Sequence, residues 1–143
     1  WDGHVYHGEQ VTFRLGAVPP QWERATVPGT MLAFVDRRNE AAIHVHARCG
    51  LDADDVPLSA LTRHLVIGFT ERTTALEEVR PFDGREAMHT VLTAKLDGVP
   101  VQMSLYVLKK DGCVYDLGYV ASPQRFELGI KDFESFVAGF HTG

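Results

Sequence analysis

The chain has no long hydrophobic run. Nothing in it approaches the roughly 20 apolar residues that a membrane-spanning helix needs, so no transmembrane segment is expected. Basic tracts are equally scarce: Arg37-Arg38 and Lys109-Lys110 are only pairs, and 19 acidic residues outnumber 14 basic ones for a net charge of -5. Such a balance gives no general attraction to phosphate backbones or anionic lipid, and no nucleic-acid partner is expected. GxGxxG, phosphate-loop, HExxH and EF-hand patterns are absent, and so is a nucleophile elbow. No motif therefore names a reaction or asks for a cofactor, and the expected role is noncatalytic. A starting Met, a basic n-region and an apolar h-region are also lacking. The expectation is a mature product, with any export signal or membrane tether lying upstream.

Cysteine is reduced to Cys49 and Cys113. Their spacing excludes CxxC redox and metal motifs. Each falls near an expected strand end, one closing an apolar strand and the other opening one after a glycine. A disulfide fits if those ends lie side by side, and would imply an oxidising compartment. Two buried thiols are the other reading.

What is present suits one compact core. A length of 143 residues with 45% hydrophobic side chains, among them eight Phe, four Tyr and two Trp, is enough for a single domain over residues 1–143. No repeat, low-complexity segment or linker composition divides it.

Short strands are expected at Val5–Tyr6 and Val11–Leu15, the second alternating Val11, Phe13 and Leu15 with Thr12 and Arg14. Val18-Pro19-Pro20 ends regular pairing, and Trp22 is expected to cover an edge of the core. Met31–Val35 and Ala41–Cys49 read as a pair around a polar turn. In the longer one, Ala41, Ile43, Val45, Ala47 and Cys49 share one face, while Ala42, His44, His46 and Arg48 share the other. Asp52, Asp54 and Asp55 ahead of Pro57 suit a helix start. Leu58, Leu61, Leu65 and Phe69 then recur at helical spacing, with Val66 and Ile67 widening the stripe.

In the second half, Leu76–Val79 reads as an edge strand followed by a loop through Asp83-Gly84. Ala87–Leu96, Val99–Leu108 and Cys113–Val120 read as an antiparallel meander. Asp97-Gly98 joins the first pair tightly, because glycine accepts positive φ and aspartate accepts local N–H groups. Lys109-Lys110-Asp111-Gly112 forms the next turn. The mixed second face of these strands suggests a partly covered side or a shallow groove. A last helical stripe runs through Ile130, Phe133, Val137 and Phe140. The fold class is α+β: an antiparallel sheet with helices packed on its faces.

This order of elements resembles the Mog1/PsbP-like superfamily, and more closely its branch of bacterial envelope proteins read as lipoproteins. The residues carrying the likeness are Phe13-Arg14-Leu15-Gly16 before Pro20 and Trp22, Ala42–Cys49, Gly112–Leu117 and Phe133–Phe140. The resemblance implies a sheet layered between helices and an exported, periplasmic or envelope-associated protein. It also implies an accessory, assembly or ligand-binding role toward a protein or small ligand. No functional residue carries over from it.

His44 and His46 form the sharpest chemical constellation. Two imidazoles one residue apart on a strand project the same way and can enter a divalent-metal site. A third ligand is required, with Asp116 or His89 as candidates; a metal-binding module or metal-dependent hydrolase would follow. A solvated strand face is the plainer reading, and a purely structural domain the plainest. Asp116 sits in an apolar strand and needs a partner, for which Arg48 and Tyr106 are the expected candidates. A nucleophilic triad of Ser104, His44 and Asp116 lacks any supporting motif.

Overall fold

The computed structural model describes residues 1–50 and 56–142. The first half contains β1 (Val5–His7), β2 (Thr12–Arg14), β3 (Trp22–Ala25), β4 (Leu32–Asp36), β5 (Ala41–Cys49) and α1 (Leu58–Leu65). The second contains β6 (Thr70–Phe82), β7 (Arg85–Leu96), β8 (Val99–Lys110), β9 (Cys113–Ala121), α2 (Phe126–Ala138) and β10 (His141–Thr142). Seven strands form one sheet in the order β3-β4-β5-β9-β8-β7-β6, and β1-β2-β10 form a small second sheet. Every pairing is antiparallel. Among the described residues no helix is long and apolar enough to cross a membrane.

Three Asp-Gly pairs build the meander. Asp83-Gly84, Asp97-Gly98 and Asp111-Gly112 each hold positive φ at both residues, as a two-residue type I′ hairpin demands. The Asp83 pair, expected in a loop, is thus the first of three equivalent hairpins. Because Asp111-Gly112 is a complete connection, Lys109 and Lys110 finish β8 instead of entering the turn.

Alternation then divides the core. Ile43, Val45, Tyr106, Leu108, Tyr115, Leu117 and Tyr119 belong to one cluster, to which α2 contributes Phe126, Ile130, Phe133, Phe136 and Val137. The alternate residues Met103 and Leu105 join Leu92, Ala94 and Val66. Val107 and Val114 join Leu61 of α1. Tyr119 also donates to the carbonyl of Phe126 at 3.0 Å, which fixes the start of α2. Burial, with Asp36 adding its charge, pushes that phenol up to about 12.

Several expectations are corrected. Helix α1 stops at Leu65 rather than continuing to Phe69, since the β-branched Val66 and Ile67 precede a helix-weakening Gly68. Val66 and Phe69 pack with the Leu92 cluster, whereas Ile67 is 69% exposed and widens no stripe. Strand β6 is far longer than Leu76–Val79. Its residues through Pro81 are exposed, so no period-two burial pattern reveals it. Trp22 opens β3 and is itself buried. The start of α1 follows Pro57 with no side-chain cap; Asp52, Asp54 and Asp55 lie outside the described residues.

A buried carboxylate fastens the last strand. Asp83 Oδ2 accepts from Lys110 Nζ at 2.7 Å and from the Thr142 N–H at 2.9 Å, and Oδ1 meets His141 Nδ1 at 2.6 Å. Burial opposes ionisation of Asp83, but these three partners outweigh it and hold the carboxyl below its ordinary value. His141, near the end of the sequence, is therefore held in place.

Candidate functional site

Strand β5 turns Ala41, Ile43, Val45 and Ala47 into the core, which leaves Ala42, His44, His46 and Arg48 on the other face. In the ladder His44 stands between Ala33 of β4 and Gly118 of β9. Glycine at 118 matters sterically: an added Cβ would collide with the His44 ring. Without one, the imidazole lies over the β9 backbone and its Nε2 reaches Asp116 Oδ2 at 3.1 Å. The Asp116 side chain is 6% exposed and that of His44 31%. The expected partners Arg48 and Tyr106 are not the ones used. Tyr106 belongs to the α2-side cluster, and the gap over Gly118 favours His44.

His46 pairs with Asp116 across the ladder, and its Nδ1 is buried with no hydrogen-bond partner among the described residues. The remaining candidates are elsewhere. His89 Nε2 meets Ser104 Oγ at 2.9 Å, and its ring stacks on Tyr106 with centroids 4.1 Å apart. Burial pushes the His89 imidazole down, and Ser104 is itself fully buried. Neither joins His44 and Asp116. Among the described residues no group of three or more His, Cys, Asp or Glu side chains is arranged to hold a metal ion.

The His44 face forms the floor of an open groove of about 580 Å³. Asp116 and Val120 of β9 extend that floor, and His64 and Leu65 of α1 form one side. Ala25, Val27, Ala33 and Val35, from β3, β4 and their connection, supply an apolar wall. Its volume lies within the range of small-molecule sites, and an apolar lining with a few polar groups is their usual chemistry. Four of the five ionisable side chains in the lining are basic. Sequence reasoning offered a shallow groove as one alternative but named neither His64 nor the wall from β3 and β4.

A smaller cavity of about 330 Å³ lies between Arg80, Tyr106, Glu134 and Phe140. Of its two acidic lining residues, Asp83 is already engaged in fastening the last strand. On the opposite face of the same two strands, Cys49 and Cys113 face each other in the ladder and are joined by a disulfide. The bridged reading is correct, and no cysteine is free.

No protein-family model and no curated protein sequence matches the chain. Solved structures do. The cyanobacterial PsbP (CyanoP) of Synechocystis sp. PCC 6803 aligns over 100% of this chain and 95% of its own, with a TM-score of 0.69 and 13% identity. LpqN of Mycobacterium tuberculosis, involved in cell envelope biogenesis, aligns over 99% of this chain and 92% of its own, with a TM-score of 0.68 and 15% identity. A Mog1 variant aligns over 96% and 87%, with a TM-score of 0.59 and 15% identity. At these identities the likeness is one of fold, and the fold is Mog1/PsbP-like.

Proposed function

We propose that this Mog1/PsbP-like chain is a single noncatalytic accessory domain of the cell envelope that binds a small ligand or a protein segment in the groove over His44. The observation that carries the reading is the open groove of about 580 Å³, with an apolar wall and a concentrated set of polar groups on its floor. Packing of the two helices against different clusters supports a sheet covered on both faces, with the groove beside α1. The disulfide supports an oxidising compartment, and the likeness to an envelope-biogenesis protein supports the envelope. Burial of Ser104, away from the His44–Asp116 pair, supports the noncatalytic part.

Calorimetric titration of the disulfide-intact chain with small amphiphiles and short peptides tests this. Val27 is 46% exposed at the groove, so Val27→Trp should obstruct the site without disturbing the core. A ligand bound by the parent and lost in Val27→Trp supports the reading. No saturable binding, or substrate turnover that depends on His44, overturns it.

The second reading keeps His44, His46 and Asp116 as metal ligands; the 3.1 Å His44–Asp116 contact favours it, and the three would have to rearrange to form a ligand set. Elemental analysis after gentle purification decides it. Stoichiometric metal abolished by both His44→Ala and His46→Ala supports it, and metal-free protein without saturable binding removes it.

A further inference from the structure

The groove gathers basic side chains on a chain that is acidic as a whole. The molecule has a formal charge of -5, yet His44, His46, Arg48 and His64 converge on this surface against the single carboxylate of Asp116. That carboxylate is already engaged by His44. Arg48 and His64 have no hydrogen-bond or ion-pair partner among the described residues, and the buried Nδ1 of His46 has none either. An arginine fork is built to clasp a planar acid. Beside these donors stands a wall of Val27, Ala33, Val35 and Leu65.

We infer that the groove takes a small monoanionic amphiphile: a carboxylate at Arg48, with its apolar body along the wall formed by β3, β4 and Leu65. One permanent cation with Asp116 nearby suits one negative charge; a doubly charged phosphomonoester would face Asp116 with too little compensation. This inference rests on the groove being the binding site proposed above and adds the chemical class of its occupant.

The probes are octanoate, octyl glucoside and octyl phosphate, each titrated calorimetrically below its micelle concentration. They share a tail and differ in the head group. Octanoate is expected to bind at least about tenfold more tightly than either other probe, and Arg48→Gln to remove that advantage. Val27→Glu, on the apolar wall, should weaken octanoate and octyl glucoside alike through the lost tail contact, and octanoate more, because repulsion adds to that loss. Both variants are checked for the parent's amide spectrum and intact disulfide. Equal binding of octyl glucoside overturns the anionic class while leaving a groove that binds ligands. Tighter binding of octyl phosphate overturns the monoanion. Octanoate binding indifferent to Arg48→Gln and Val27→Glu overturns the placement, and binding of none of the three overturns the inference outright.

Discussion

A methyl group at position 118 would take the space that the His44 ring occupies. Gly118→Ala should therefore push the imidazole off Asp116 and leave a carboxylate that is 6% exposed without its partner. The expected cost is about 1–3 kcal/mol, measured by urea unfolding at neutral pH. Unchanged stability together with an unchanged His44–Asp116 contact would contradict the steric account. At Asp83 the prediction concerns pH. Its folded-state carboxyl lies below the ordinary value, so its contribution is present above the unfolded carboxylate's pKa of roughly 3.9 and is lost as acid protonates the folded form. Asp83→Asn should lower stability by about 2 kcal/mol at pH 7 and flatten the acid limb of the stability profile. An acid limb as steep as the parent's would show that other carboxylates govern it.

At the scale of elements, legibility followed local chemistry. The meander was readable because Asp97-Gly98 and Asp111-Gly112 announce their turns and the strands between them alternate. Strand β5 was readable to its last residue, since its two faces differ sharply: alanine and branched aliphatics inward, histidines and arginine outward. Strand β6 was not, because exposed residues on both faces leave no periodicity. The end of α1 was misread because Phe69 falls at helical spacing from Leu65 while packing from outside the helix. The same division makes a mutational prediction. Phe133→Ala empties a site at 0% exposure and should cost about 3–5 kcal/mol, whereas Ile67→Ser, at 69% exposure, should stay within about 0.5 kcal/mol. Comparable losses from both in thermal or urea unfolding would contradict the placement of Ile67 outside α1.

For the molecule as a whole, the disulfide and the groove belong to one piece of architecture. Cys49 and Cys113 clamp β5 to β9, and those two strands form the groove floor. Removing both cysteines as alanines should cost about 2–4 kcal/mol, and a reductant should lower the parent's Tm while leaving the double variant's unchanged. The candidate site was only partly legible. His44, His46 and Asp116 could be named from strand alternation, but their meeting depends on β5 lying beside β9 and on the gap over Gly118. The apolar wall comes from β4, the hairpin neighbour of β5, and from β3, which no periodic pattern marked as a strand.

Amide chemical-shift mapping during an octanoate titration tests the binding surface most directly. Saturable shifts should centre on residues 42–48 and 116–120, with Leu65 and Val35 at their edge. Shifts centred instead on Arg80, Tyr106 and Glu134, or no saturable shift anywhere, would contradict it.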